Sequence, residues 1–199
     1  MNTFRGGAWE AEVWGNAIGG NPDAFAEIFD AHRDRVFGHS LRLIRSIPDA
    51  EDVTALVFLE AWRRRTAVRV VEGSIIGWLL VTANYVVRNH SRSLRRHQAA
   101  MRKIPPPAVE EDHAVRVLDA FDTEDRARQV RQAFARLSSR EQDILTLCVF
   151  EHLTAGQVSE ALRIPVGTVK SRLSRAKTHL AGLMTPPSPA YTRPEESPL

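Results

Sequence analysis

The sequence predicts an all-α protein: two small helical domains joined by a flexible acidic linker, the C-terminal one a helix-turn-helix. Three observations carry that expectation. Apolar residues recur at spacings of three and four over most of the chain, the period of a helix with one buried face, and no strand-like alternation or internal repeat stands out. Ile104-Pro105-Pro106-Pro107 interrupts the pattern, and a tract rich in acids follows. Near the C-terminus two short helix-period segments lie a few residues apart, each with its own start signal. A length of 199 residues accommodates two domains of this size.

Residues 1–20, Gly-rich and holding Trp9 and Trp14, read as a flexible N-terminal arm. Asn21-Pro22 then supplies a cap and a first helical residue, and Phe25, Ile28, Phe29, His32, Val36 and Phe37 continue at helical spacing. Pro48, Asp49, Glu51 and Asp52 open a second helix, with acids where the helix dipole favours them. Val53, Leu56, Val57, Ala61 and Trp62 form its apolar face, and Arg63-Arg64-Arg65 closes it. Gly73-Ser74 precedes a third helix with Ile75, Trp78, Leu79, Thr82, Ala83 and Val86 inward. The first domain therefore spans 21–100 and the linker 101–122.

The second domain, 123–184, begins with the stripe Ala127, Val130, Phe134 and Leu137. Ser138 with Glu141 is a capping box ahead of Ile144, Leu145 and Cys148; Thr154 with Gln157 is another, ahead of Val158, Ala161 and Leu162. Pro165 suits the first position of the last helix, whose inward stripe is Val166, Val169, Leu173, Ala176 and Leu180, with Gly182 as its C-cap. Residues 185–199 read as a disordered tail.

Charge is more informative in its distribution than in its sum of +3. No acid occurs from Gly73 to Val109, where Arg88, Arg92, Arg95, Arg96, Arg102 and Lys103 all fall. Seven acids then lie between Glu110 and Asp125, with Arg116 the one base among them. The last helix carries Lys170, Ser171, Arg172, Ser174, Arg175 and Lys177 opposite its apolar stripe, and no acid occurs between Glu160 and Glu195. Two basic surfaces flanking an acidic connector point to one polyanion held at two places. Thr168, Ser171 and Ser174 add short hydrogen-bonding side chains among the cations, as a helix entering a DNA groove needs.

Cys148 is the sole cysteine, so no intrachain disulfide forms, and its apolar neighbours make it a core residue. The N-terminus lacks the charge and apolar core of a signal peptide, and no stretch is long and apolar enough to span a bilayer. The expectation is a cytoplasmic protein with no membrane insertion. His32, His39, Glu51, Asp52 and Glu60 fit no metal-ligand signature, and no phosphate-cradling glycine loop or nucleophile motif occurs. No catalytic residue, metal or cofactor is expected.

Taken together these segments resemble the bacterial RNA polymerase sigma factors of the extracytoplasmic-function group. The residues from Leu137 to Leu180, with PVGTVKSRL inside them, look like the family's fourth region. NPDAFAEIFDAHRDRVF, DAEDVTALVFLEAWRR and EGSIIGWLLVTANYVVRNHSRSLRR look like successive parts of its second region. The resemblance implies a promoter-specificity subunit that binds core RNA polymerase, on the coiled coil of its largest subunit and on its flap. Asp49, Glu51, Asp52, Phe58 and Trp62 stand at the docking positions. It implies that the loop 68–74 and the helix after it capture and open the −10 element. Asn84, Tyr85, Arg88, Asn89, His90, Arg92, Arg95 and Arg96 would line that path. In the last helix Ser171, Ser174 and Arg175 would face base edges of the −35 element. Thr168, Lys170, Arg172 and Lys177 complete that DNA-binding set, the first three on phosphates. An anti-sigma factor is a further partner the family implies. Ala55 and Leu56 stand where the family carries an acidic or amide pair, and Tyr85 where it often carries Asn. The competing expectations are a DNA-binding regulator whose N-terminal domain senses a ligand or dimerises, and, least favoured, an enzyme.

Overall fold

A computed structural model describes residues 7–101 and 121–184, with side chains for 7–90 and 126–184. Eight α-helices occupy them: α1 (Gly7–Ile18), α2 (Pro22–Ile44), α3 (Ile47–Arg63), α4 (Ile76–Met101), α5 (Phe121–Arg136), α6 (Ser139–Leu145), α7 (Ala155–Leu162) and α8 (Val166–Met184). Among the described residues no β-strand forms; one isolated bridge, Val71 to Ser74, closes the turn before α4.

The start signals act as expected. Asn21 Oδ1 accepts from the backbone N–H groups of Asp23 and Ala24, with Pro22 in the first turn. Both capping boxes, Ser138 with Glu141 and Thr154 with Gln157, form with their reciprocal bonds. Two helix ends use non-glycine residues in the left-handed region: Arg45 after α2 (φ 63°) and Arg163 after α7 (φ 54°). Arg163 makes the turn between α7 and α8, and Ser159 locks it by donating to the Ile164 carbonyl.

Several expectations change. The loose arm is instead, from Gly7 to Ile18, a helix with Val13, Trp14 and Ala17 buried and the Trp14 indole N–H aimed at the Val68 carbonyl. The reason is amphipathicity: Val13, Trp14 and Ala17 share one face that the first domain covers. The last helix starts at Val166 rather than Pro165, leaves Val166 exposed, and continues through Gly182, so Gly182 caps nothing. Leu56, assigned to the inward face of α3, is 48% exposed. The linker and tail lie outside the described residues, save Met101, which ends α4, and Phe121 and Asp122, which begin α5.

The two helical domains share a core. Ile28, Val36, Val53, Val57, Ala61, Leu79, Leu80 and Ala83 of the first domain cluster with Ile144, Leu147, Leu153, Val158 and Val169 of the second. Leu137, Leu145 and Ala176 form a smaller nucleus inside the second domain. Gly77 of α4 sits against α7: a Cβ there would lie 3.5 Å from the Ala161 methyl and the Gln157 carbonyl. The described molecule is therefore closed, with the second domain laid across α4.

Candidate nucleic-acid interface

On α8, Val169 and Ala176 are fully buried and Leu173 and Leu180 partly so, which fixes the rotation of the helix. That rotation turns Lys170, Ser171, Ser174, Arg175 and Lys177 into solvent, with Thr168 and Arg172 at the margins. Among the described residues no acidic side chain pairs with any of these cations. Arg175 Nε donates to the Ser171 carbonyl at 3.3 Å, which leaves most of its donor fork free for a ligand. The sequence-predicted −35 set is thus brought together on one exposed face.

The −10 set behaves differently. Tyr85 is 56% exposed and the Arg88 guanidinium lies 4.7 Å over its ring. Asn89 is exposed, and His90 is half-buried with Nε2 3.5 Å from Asp49 Oδ1. Asn84 and Arg88, expected on an open DNA path, instead point at the second domain. Asn84 Nδ2 donates to Asp143 Oδ1 at 2.8 Å, and Arg88 Nη1 donates to the same oxygen at 2.6 Å. The helix phase that buries Ala83 and Val87 carries Asn84 to the covered side, and α6 sets a carboxylate opposite it. Burial pushes the Asp143 carboxyl above its ordinary value, against the opposing effect of Arg88 and Asn84. Arg92, Arg95 and Arg96 lie on α4, and their side chains are outside the described set.

The turn before α4 is held by α1. Glu10 accepts from the Ile75 N–H at 2.7 Å and from Ser74 Oγ at 3.0 Å, and lies 2.8 Å from His32 Nε2. Burial works against the Glu10 carboxylate, but these partners outweigh it and hold the carboxyl below its ordinary value. Gly73 (φ 78°) approaches Gly7 so closely that a Cβ on Gly73 would fall 2.5 Å from the Gly7 Cα. Glu72 reaches across to the second domain, where Thr154 Oγ1 donates to its carboxylate at 2.9 Å.

On α3, Glu51 and Asp52 are exposed and Asp49 half-buried, while Phe58 is a core residue and not a surface one. Trp62 borders an open apolar cleft of about 460 Å³, lined with it by Pro22, Phe25, Phe29, Ala55, Phe58 and Leu59. Phe25 packs edge-on to Trp62 at 5.0 Å, and Phe29 to Phe58 at 4.7 Å. Trp78 packs against the core, as its spacing predicts.

Glu151, which sequence reasoning did not single out, is the centre of the domain contact. Its side chain is 6% exposed. Arg42 Nη1 donates to Oε1 at 2.6 Å, Arg35 Nε donates to Oε2 at 3.2 Å, and Arg35 Nη2 donates to the backbone carbonyl at 2.5 Å. The buried His39 ring spans Glu151 Oε1 at 3.1 Å and Asn84 Oδ1 at 2.8 Å. Burial disfavours the charge on Glu151, yet donation from His39, Arg42 and Arg35 prevails and draws its carboxyl down to about 2. A signal was present: His32, Arg35, His39 and Arg42 recur at spacings of three and four, a polar stripe on one face of α2.

Comparison with known proteins agrees with this geometry. The profile described as Sigma-70 region 2 matches residues 28–97, and that described as Sigma-70, region 4 matches residues 127–180. The ECF RNA polymerase sigma factor SigK of Mycobacterium sp. (strain KMS) is 31% identical over 156 residues, 76% of this chain and 78% of that protein. SigK of Mycobacterium tuberculosis (strain H37Rv) is 30% identical over 155 residues, covering 77% and 81%. Among solved structures, CnrH in complex with the cytosolic domain of CnrY aligns with a TM-score of 0.58 at 16% identity, over 86% of this chain and 94% of that one. The sigma factor RpoE in complex with the anti-sigma factor NepR from Bartonella quintana aligns with a TM-score of 0.50 at 19% identity, covering 80% and 96%. These two likenesses concern the fold. With both sigma-70 regions matched in order and SigK aligned over about four-fifths of its own length, the chain belongs to the extracytoplasmic-function group of RNA polymerase sigma factors.

Proposed function

We propose that the first domain of this chain docks on core RNA polymerase through α3 and reads the −10 element, while α8 reads the −35 element. As a sigma factor the chain is a promoter-specificity subunit and not an enzyme. The observation that carries the residue-level reading is the exposed cationic face of α8, set by a fully buried stripe behind it and lacking acidic partners among the described residues. Ser171, Ser174 and Arg175 meet base edges; Thr168, Lys170, Arg172 and Lys177 meet backbone and phosphates. On the first domain Tyr85, Asn89, His90, Arg92, Arg95 and Arg96 track the −10 strand and its phosphates, joined by Asn84 and Arg88 once the second domain moves off them. Asp49, Glu51, Asp52 and Trp62 present acids beside an apolar cleft to the polymerase coiled coil, with Phe58 supporting the cleft floor. Leu56 and Leu59, both about half exposed, make this docking face more apolar than an acidic pair would. The chain works in the cytoplasm, where polymerase and promoters are; no helix among the described residues is long and apolar enough to cross a membrane. An anti-sigma partner is part of the same reading.

Co-purification with core polymerase, followed by mapping of transcript starts after overexpression, tests this reading. Association together with a common pair of upstream elements is expected. No association overturns it. Neutralising Arg92, Arg95 and Arg96 lowers the salt slope of open-complex formation by about 0.7–0.9 per lost phosphate contact; an unchanged slope removes that tract from the DNA path.

A further inference from the structure

Arg35, Arg42 and Arg88 are the first domain's cations at the domain contact, and each finds its acid on the other domain. Arg35 and Arg42 pair with Glu151, and Arg88 with Asp143. Among the described residues no carboxylate of the first domain pairs with any of the three. Their side chains stay 42%, 48% and 27% exposed, so the guanidinium heads sit at the rim of the contact, within reach of solvent. His39 and Asn84 lie buried between them and link the α2 cations to α4.

Removing the second domain therefore leaves a cationic strip with no acidic partner among the described residues, and an anion can replace what Glu151 and Asp143 supply. Arg recognises carboxylate and phosphate oxygens through the same fork of donors. Arg35 to Arg42 spans seven residues of helix, about 10 Å, which matches about three base-pair steps of a DNA strand. On α4, Arg88 is followed at helical spacing by Arg92 and Arg95. We propose that Arg35, Arg42 and Arg88, joined by His39, form a phosphate-binding track for promoter DNA, and that the Glu151 and Asp143 carboxylates occupy it in the closed molecule in place of backbone phosphates. The track rests on the promoter-reading function and adds α2 to it. It also divides the closed molecule's two DNA surfaces: the −35 face of α8 stays open, while on the −10 side Asn84, Arg88 and the α2 arginines are covered by acids of the second domain and Tyr85 and Asn89 stay exposed. Opening exchanges two internal carboxylates for DNA phosphates.

The test uses the full chain and a fluorescein-labelled duplex of mixed sequence, titrated at several salt concentrations. The variant E151Q/D143N removes both acids and keeps side-chain shape. The control E12Q/E27Q removes the same charge from exposed positions of α1 and α2, away from the contact. Relative to that control, E151Q/D143N binds more tightly, with a salt slope steeper by about 2–3, as expected for three freed arginines at about 0.9 each. Adding R35A and R42A to it cancels about 2 of that slope. R35A/R42A in the wild-type background loses the same ion pairs with Glu151 but also the two track cations, so it gains none of the slope that E151Q/D143N gains. If E151Q/D143N loses helix content, E151Q alone provides the comparison, with a slope change of about 2. A slope equal to that of the control, or a gain that survives R35A/R42A, overturns the proposal. So does tighter binding of a poly-glutamate peptide without tighter binding of the duplex, which assigns the strip to an acidic protein. Core-polymerase association is measured on the same proteins. Association retained with an unchanged slope removes the track alone; no association by the wild type removes the promoter-reading role and the track with it.

Discussion

Single residues in this molecule carry very different consequences. Glu10 is one carboxylate joining three segments: α1, the His32 turn of α2 and the start of α4. Glu10→Ala leaves the buried Ile75 N–H and the half-buried Ser74 hydroxyl without this acceptor, and is expected to cost about 3 kcal/mol in urea unfolding. Glu10→Gln keeps an acceptor oxygen and is expected to cost less than half of that. Arg175 has the opposite profile, exposed and, among the described residues, anchored to its own helix through the Ser171 carbonyl. Arg175→Ala is expected to leave the unfolding curve unchanged and to lose about 1–3 kcal/mol of promoter binding, with relaxed preference at one −35 position. Uniform loss across competitor sequences would place Arg175 on phosphate instead. Helical phase already separates these two residues' neighbours in the sequence, since Val169 and Ala176 point inward and Arg175 does not. It cannot reveal that Glu10 is shared by three segments, because two of its partners are more than sixty residues away.

At the scale of elements, start signals were readable and stop signals less so. The Ser138 and Thr154 boxes need only three residues, so their geometry is encoded locally. Glycine is ambiguous, because one residue type serves turns, close approaches and helix interiors alike. Gly73 and Gly182 illustrate the two extremes. Gly73 has φ 78° and meets the Gly7 backbone, so Gly73→Ala is expected to destabilise by about 2 kcal/mol and to loosen α1 from the turn before α4. Gly182 lies within α8 with no described residue within 4 Å of an added Cβ, so Gly182→Ala is expected to stabilise by about 0.5–1 kcal/mol. Thermal unfolding followed by circular dichroism distinguishes the signs; a stabilising Gly73→Ala would rule out the close packing of α1 on the turn. The first helix escaped sequence reasoning for a related reason. Its Gly-rich surroundings obscure a short apolar face that gains its stability from burial of Val13, Trp14 and Ala17 rather than from propensity.

At the scale of the whole molecule, closure depends on a titratable contact. Glu151 faces Arg35, His39 and Arg42 of α2, with Asp143 beyond His39. Its carboxyl falls from an ordinary 4.5 to about 2 when the domains meet. A depressed carboxyl adds stability that is complete above the ordinary value and is lost as pH falls through the lowered one. The Glu151 contribution is therefore expected to be full above about pH 4.5 and to disappear towards pH 2. Its size is about 2 kcal/mol once solvent screening of the half-exposed Arg35 and Arg42 is discounted. Urea unfolding of wild type and E151Q measures it: the difference between them at pH 6 should shrink on acidification below pH 4. A difference that is constant with pH would show that Glu151 acts through packing rather than charge.

By itself the sequence determined seven of the eight described helices, α2 to α8, most of their buried stripes and the exposed cationic face of α8. Each of these is a local property: a period, a cap or an uncompensated run of charge. It also determined the family, because two sets of motifs occur in the order sigma factors require. Only the tertiary structure decided that the two domains share a core, that Asn84 and Arg88 turn toward Asp143, and that α2 meets Glu151. The physical reason is sequence distance. A helical stripe records which face is covered but not what covers it, and the Glu151 contacts join residues 109 to 116 positions apart. The polar stripe of α2 was present in the sequence, and its meaning appeared only when an acid from the other domain was placed upon it.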